Sequence, residues 1–217
     1  MKSRYKIFTV FLLAISSLIT LSAFTPKTNG NNLNAVQQNF QSTSQSILIT
    51  QENINNFKKH QKDVDALLKN LDEKLDYTPS PMKVMSLAPH YNSAGTNEDK
   101  NAQFFQDDSR MAYKFALGYA VSNNPAYAQK ARQIIDAWAK TLKAVTTDQS
   151  KDEINFNVQY LVIGASLVKN EGNWNTKPFS SFLENIALPA SSQANTNNHG
   201  LWGVFMESTI YAWLGDQ

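Results

Sequence analysis

The residues best suited to chemistry lie near the end of the chain, in the stretch NTNNHGLWG at positions 195–203. Asn198 and His199 follow a loop rich in Ser, Ala and Asn and come just before an apolar stretch with the character of a helix. A helix N-terminus presents unpaired N–H groups and a partial positive charge, which favour a bound or developing anion. Histidine moves protons near neutral pH, and an adjacent amide can donate to a carboxylate or enolate oxygen. The pair therefore indicates a proton-transfer site for an acidic substrate.

Three neighbours of this pair would shape such a site. Gly200 and Gly203 lack side chains, so a bulky ligand could approach the helix, and Trp202 offers a flat face for stacking on a sugar ring. A second interpretation stays open, because Asn is a common helix cap and a cap followed by a solvated histidine gives the same pattern. A single histidine with no visible partner does not distinguish the two.

The other two histidines differ in their surroundings. His60 lies among lysines and is expected on a solvated helix face. His90 lies beside Tyr91 in an irregular stretch of about twenty residues, far longer than the usual loop of ~4–6 residues. Loops concentrate binding residues, so His90 and Tyr91 are candidates for ligand contact.

Two more polar groups are candidates for substrate binding. Arg110 follows Asp107 and Asp108 near an expected helix start, where capping and an ion pair are the ordinary roles, although its guanidinium could bind a substrate carboxylate bidentately. Asn157 lies in a cluster of amides and aromatic residues at 155–160, a combination common on sugar-binding surfaces. A capped helix with no ligand remains the alternative for this cluster.

Several kinds of chemistry find no support in the sequence. The chain has no cysteine, which excludes disulfides, a thiol nucleophile and a Cys-ligated zinc site. No cluster of histidines and carboxylates suggests a metal, and no glycine-rich phosphate loop or nucleophile elbow is present, so no metal and no cofactor are expected. The net charge is only +2 and there is no basic block, so nucleic acid is not an expected partner.

Helices are the elements expected to position these residues. Six stretches are predicted to be wholly or partly helical from their apolar spacing: 51–75, 104–121, 125–142, 154–168, 179–188 and 199–214. Asn124 and Pro125 supply a cap and a first turn for the third of them. Because no sustained alternation of period two is found, the predicted fold class is all-α, with helices packed as successive antiparallel pairs.

The ends of the 217-residue chain differ in character. Residues 1–23 combine a positive leader, an apolar run and small residues at a cleavage point, the pattern of a secretory signal peptide. The apolar run is shorter than the ~20 residues of a membrane-spanning helix, so no stable membrane span is expected after cleavage. Residues 24–46 are predicted to be a polar linker, and residues 47–217 are predicted to be a folded domain. The expected location of the protein is periplasmic or secreted.

Three parts of the chain together resemble the alginate lyase type of polysaccharide lyase. MSLAPHY at 85–91 resembles the loop before the family's first core hairpin, and the segments 108–113, 126–131 and 136–139 resemble that hairpin. NNHGLW at 197–202 resembles the family's Asn-Asn-His active-site motif and is the most specific of the three. The resemblance runs from about residue 50 to the end and implies an incomplete (α/α) toroid, an array of antiparallel helical hairpins.

The resemblance also implies a reaction, the β-elimination of alginate or a related polyuronate. Neutralising the uronate carboxylate acidifies the neighbouring C–H, a base removes that proton, and an acid protonates the leaving glycosidic oxygen. By match, Asn198 would bind the carboxylate, and His199 would help neutralise it or act as the base. His90 and Tyr91 would line the groove, and the partner would be an acidic polysaccharide.

In one respect the sequence departs from the family pattern. In the family an Arg and a catalytic Tyr follow the Asn-Asn-His motif on a later helix, whereas this sequence ends at Gln217. Tyr211 does not replace them, because twelve helical residues place it about 18 Å along the axis from His199. We therefore expect a C-terminally truncated toroid. It would be a lyase, or alternatively a chain that binds polyuronate without cleaving it. A helical-repeat interaction protein is a third interpretation, although the ~34-residue repeat of such arrays has no second copy.

Overall fold

The structure is a computed structural model that describes residues 46–89 and 97–215, with the backbone alone for 97–100. Seven α-helices lie within these ranges: α1 (Gln51–Lys58), α2 (Gln61–Asp72), α3 (Asn97–Ser122), α4 (Pro125–Thr141), α5 (Asp148–Val168), α6 (Lys177–Phe182) and α7 (Asn198–Gly215). A π-helical turn (Leu183–Ala187) and a 3-10 turn (Leu188–Ala190) continue α6. The predicted all-α class is confirmed.

Some predictions fall on residues that the structure does not describe. They include the leader at 1–23, nearly all of the linker at 24–46, and the loop residues His90 and Tyr91. Among the described helices, none is long and apolar enough to cross a membrane.

Two very short strands hold the segment before residue 90 against the start of α5. β1 (Val84–Met85) pairs in parallel with β2 (Ala144–Val145). Just after β1, the Leu87 N–H donates to Ser150 Oγ in the first turn of α5, at 2.9 Å. Strands of two residues are too short to show an alternating pattern, which is why the sequence did not predict them.

Helices α3 and α4 form the antiparallel hairpin that the sequence predicts. Asn124 caps α4 through a 3.1 Å hydrogen bond from the Ala126 N–H to Asn124 Oδ1, and Pro125 is the first helical residue. The ring of Trp138 is fully buried and lies 4.8 Å from the ring of Phe105, at the end of the hairpin away from the turn. These contacts hold α3 against α4, and another side of α3 packs against α5.

Helix α5 is the central helix of the described chain, packed between α3 and α7. Its contacts with both neighbours advance together along the chain, which shows that α3, α5 and α7 run in the same direction. The pairs are Gln106–Glu153 followed by Tyr113–Tyr160 with α3, and Asp152–His199 followed by Phe156–Trp202 with α7. The N-terminal ends of α5 and α7 therefore lie side by side.

The expectation that Asp108 caps a helix is wrong. Helix α3 begins at Asn97, so Asp108 lies in the helix interior, where it is buried. Its carboxylate accepts hydrogen bonds from the Tyr77 hydroxyl, from the Ser80 N–H at 2.8 Å and from Trp138 Nε1–H at 2.6 Å. Asp108 thus joins the segment after α2 to the α3–α4 hairpin.

We predict that Asp108→Ala destabilises the fold, because three donors lose a buried acceptor. The expected loss is about 3 kcal/mol of unfolding free energy, which corresponds to a fall in Tm of roughly 6–12 °C for a chain of this size. Thermal unfolding followed by circular dichroism measures it. The matched control is Asp107→Ala, since Asp107 is the exposed neighbour on the same helix; equal Tm values for the two variants would contradict this role of Asp108.

Candidate functional site

The backbone of His199 is fixed in the first turn of α7. The His199 N–H donates to Asn197 Oδ1 at 3.0 Å, and Ser192 Oγ donates to the His199 carbonyl oxygen at 2.9 Å. Asn197 therefore satisfies one N–H at the start of the helix. Asn198 is the first residue of α7 and its side chain is exposed, which leaves its amide accessible to a ligand.

The imidazole of His199 reaches across to α5. Its Nδ1 lies 2.8 Å from Asp152 Oδ1, and the ring centroid lies 5.5 Å from that of Phe156, one turn further along α5. The His199 side chain is 33% exposed and that of Asp152 is 20% exposed. The ring is thus held from one side and open to solvent on another, which is what a group that exchanges protons with a ligand requires.

Aromatic rings continue the site along α7. The ring of Trp202 lies 5.7 Å from Phe156 and 6.2 Å from Phe205, in edge-to-face contacts. Trp202 is only partly buried, so part of its indole remains accessible. A partly accessible indole of this kind can stack on the apolar face of a sugar.

Arg110 belongs to α3 and lies against α5, on the side of α5 that faces α3. It is partly buried, its side chain hydrogen-bonds the Tyr160 hydroxyl, and its positive charge acts on Glu153. Tyr160 and Glu153 are two turns apart on α5 and share a side of it. Burial raises the pKa of Tyr160, while the charge and hydrogen bond of Arg110 oppose that rise.

Glu153, next to Asp152 on α5, is a buried carboxyl. It is 5% exposed, and its Oε2 accepts from Gln106 Nε2 at 2.9 Å and from Asn157 Nδ2 at 3.2 Å. Burial raises its pKa most, and the charge of Asp152 adds to the rise, whereas hydrogen bonds from Gln106 and Gln149 and the charge of Arg110 oppose it. A buried carboxyl with a raised pKa close to an arginine is typical of functional sites.

Asn157, predicted to bind substrate, lies below the surface. Its side chain is buried, with the residue 1% exposed, and Nδ2 also donates to the Glu153 carbonyl oxygen at 2.9 Å. Its Oδ1 is buried and has no hydrogen-bond partner among the described residues. The structure thus places Asn157 where it supports Glu153 and does not itself reach the surface.

An open pocket lies at the N-terminal end of α5, lined by residues 86–89 and 147–149. It borders the point where the segment of His90 and Tyr91 leaves the described part of the chain. Gln149, in the pocket wall, is one turn before Asp152 on α5, so pocket and histidine share one end of that helix. Among the described residues, no three His, Asp or Glu side chains come together as metal ligands.

The expectation that Gly200 and Gly203 leave room for a ligand is wrong. The space beside both is filled by the chain itself, because both residues are buried against the backbone of residues 192–195. A Cβ at Gly203 would lie 2.8 Å from the carbonyl carbon of Ser192 and 2.9 Å from Gln193 Cα, closer than real Cβ atoms approach. The glycines therefore seat the loop that precedes the Asn-Asn-His stretch.

The sequence analysis missed three residues of this site: Gln106, Asp152 and Glu153. A signal for the last two was present, since Gln149, Asp152, Glu153, Phe156 and Tyr160 recur at the three- and four-residue spacing of one helix side. Only the helix start at Asp148, well before the predicted 154, brings the first members of this set into α5.

One comparison with known proteins identifies the family of the chain. A family model described as alginate lyase matches residues 43–217. No curated protein and no solved structure matches the chain. The match covers every described element, including α3, α5 and α7, which carry the site.

We predict that Gly203→Ala loosens the loop at 192–195 and destabilises the fold by about 1–3 kcal/mol, the usual cost of forcing extra atoms into a packed interior. Urea unfolding measures the change. Gly215→Ala is the matched control on the same helix, because nothing lies within 4 Å of its added Cβ. A Gly203→Ala variant as stable as Gly215→Ala would show that the loop does not pack on α7.

A second prediction concerns pH and Glu153. Burial raises the pKa of Glu153 in the folded chain. The protonated carboxyl therefore contributes to the free energy of unfolding, and this contribution is fully present below about pH 4.3, the pKa of Glu in the unfolded chain. That stability is lost as pH rises through the folded pKa. Glu153→Gln, which stays neutral, should therefore have a Tm a few degrees higher than the natural chain at pH 7–8.

The difference in Tm should close as pH falls below about 4, where the carboxyl is protonated in folded and unfolded chains alike. Calorimetry of both proteins across this pH range tests it. Exposed Glu73→Gln is the control and should show a smaller, flatter difference. A Glu153→Gln variant that is less stable than the natural chain at pH 7 would mean that the hydrogen bonds to the carboxylate outweigh its burial.

Proposed function

Because the chain belongs to the alginate lyase family, we propose that it is a polysaccharide lyase that cleaves alginate or a related polyuronate by β-elimination. The family places it in the class of polysaccharide lyases. The choice of a uronic-acid polymer as substrate rests in addition on residues around α5. The Arg110 guanidinium and the Asn198 amide there can bind a carboxylate.

One observation carries the proposal: His199 and Arg110, which are far apart in sequence, lie against the same helix. His199 contacts Asp152 and Phe156, and Arg110 hydrogen-bonds Tyr160. Asp152 and Tyr160 are eight residues apart, or about 12 Å along the helix axis. A proton-transfer group and a fixed positive charge at this separation suit a polymer whose rings carry carboxylates.

In the proposed reaction the chain's own residues act without a cofactor. The uronate carboxylate is neutralised by the exposed Asn198 amide and by the N-terminal end of α7, which lowers the pKa of the adjacent C–H. Arg110 receives the carboxylate of another ring of the polymer. His199 takes that proton or helps neutralise the carboxylate. The electron pair forms the C=C bond as the glycosidic C–O bond breaks, and the leaving oxygen takes up a proton.

The remaining candidates have supporting places in this proposal. We propose that Trp202 stacks on a sugar ring beside His199 and that His90 and Tyr91, which lie outside the described residues, take part in substrate binding. Asn157 acts from below, through Glu153. An exported location, periplasmic or secreted, belongs to the same proposal, since the leader at 1–23 has the pattern of a signal peptide.

The direct test is the ultraviolet absorbance of the unsaturated uronate that β-elimination creates. The purified chain is incubated with alginate and several other polyuronates, and we expect an increase with at least one of them. His199→Ala should reduce the rate by about 100-fold or more, the usual contribution of a positioned acid or base. His60→Ala is the matched control, since this exposed histidine lies between α1 and α2.

Two results would contradict the lyase proposal. A folded natural chain that produces no unsaturated product from any polyuronate would reject catalysis. If that chain still binds oligouronates, and His199→Ala weakens the binding in calorimetry, the protein binds polyuronate without cleaving it. Equal activity of His199→Ala and His60→Ala would instead remove His199 from the mechanism.

A further inference from the structure

Asp152 is the strongest unassigned polar group near the site. It lies in the second turn of α5, is only 20% exposed, and its Oδ1 is 2.8 Å from His199 Nδ1. As an ionised carboxylate it can only accept a hydrogen bond, so the proton of a neutral imidazole must lie on Nδ1. The lone pair then lies on Nε2, on the opposite side of the ring.

The neighbouring carboxyl cannot take this role. Glu153 follows Asp152 in the chain but points to α3, where it accepts from Gln106, and it also accepts from Asn157 of α5 itself. Successive residues on a helix point about 100° apart, so the two carboxyls serve different neighbours. Asp152 alone, among the described carboxylates, has a recorded contact with the His199 ring.

The other contacts of His199 fix the backbone and leave the state of the ring to Asp152. Asn197 and Ser192 bind the peptide N–H and C=O of His199, and Phe156 touches its ring without a hydrogen bond. Within the described part of the chain, the imidazole of His199 therefore has one hydrogen bond, the one to Asp152, that can set its direction and the position of its proton. In other enzymes with a His–carboxylate pair, such a bond orients the ring and selects the tautomer.

We propose that Asp152 is a positioning residue that holds neutral His199 as its Nδ1–H tautomer, with Nε2 turned to the substrate as the proton-accepting atom. The catalytic consequence rests on the proposed lyase function, whereas the tautomer is a property of the resting protein. In the reaction, Nε2 would take the proton from the carbon next to the uronate carboxylate, and Asp152 would stabilise the imidazolium that results.

The tautomer can be read directly from the full chain labelled with ¹⁵N-histidine. Long-range ¹H–¹⁵N spectra above the titration of the ring distinguish a protonated Nδ1 from a protonated Nε2, and His199→Gln assigns the signal. We expect a protonated Nδ1 in the natural chain. In Asp152→Asn the new amide can donate to Nδ1, so the Nε2–H form should appear.

Activity supplies a second readout. With a polyuronate that is cleaved, Asp152→Asn should lower kcat at least about tenfold with little change in KM. Asp152→Glu should recover part of the loss, because it restores a carboxylate acceptor. The matched control is Asp65→Asn, which removes the same charge from an exposed side chain on α2 and should leave both tautomer and kcat unchanged.

The outcomes separate this proposal from the one on which it builds. A protonated Nε2 in the natural chain overturns the role of Asp152 whatever the enzyme does. The expected tautomers together with no product from any polyuronate support the pairing and reject the lyase. If Asp152→Asn does not fold, the spectra of the natural chain and of Asp152→Glu still decide the position of the proton.

Discussion

The site depends on one constraint: α5 is buried on almost all sides and yet carries a row of polar side chains that need partners. Asn155 joins α5 to the turn at 190–192. Its Nδ2 donates to the Ala190 carbonyl oxygen at 2.8 Å, and its Oδ1 accepts from the Ser192 N–H at 3.1 Å. Glu153 draws on α3 and Asp152 draws on α7. Since an unsatisfied buried polar group costs about 1–3 kcal/mol, these pairings restrict how the neighbouring segments can lie against α5.

The same pairings couple fold to function. Asn155 fixes the Ala190–Ser192 turn, Ser192 in turn donates to the His199 carbonyl, and the glycines of α7 admit the loop between them. The first turn of α7 is therefore held by the same helix that presents Asp152 to the imidazole. A site assembled in this way is preorganised, because the ring need not be oriented when the substrate arrives.

Local patterns predicted the helices, and the accuracy of the predicted starts differed from helix to helix. Asn124 and Pro125 fixed the start of α4 to the residue, because cap and first turn depend on neighbouring residues alone. The starts of α3 and α5 were predicted six or seven residues late, since their first turns are polar and show no apolar period. Within α3, Phe105 is fully buried, whereas the neighbouring Phe104 is 41% exposed.

The candidate site divides along the same line between local and long-range information. His199 and Arg110 could be proposed from residue type and from resemblance, because a functional side chain is recognisable without its neighbours. Asp152 could not, because its partner lies 47 residues away and only the parallel packing of α5 and α7 brings the two together. A single histidine in a sequence is ambiguous, and a carboxylate on its Nδ1 supplies what the sequence lacks: a physical reason for the ring to present one defined nitrogen to a substrate.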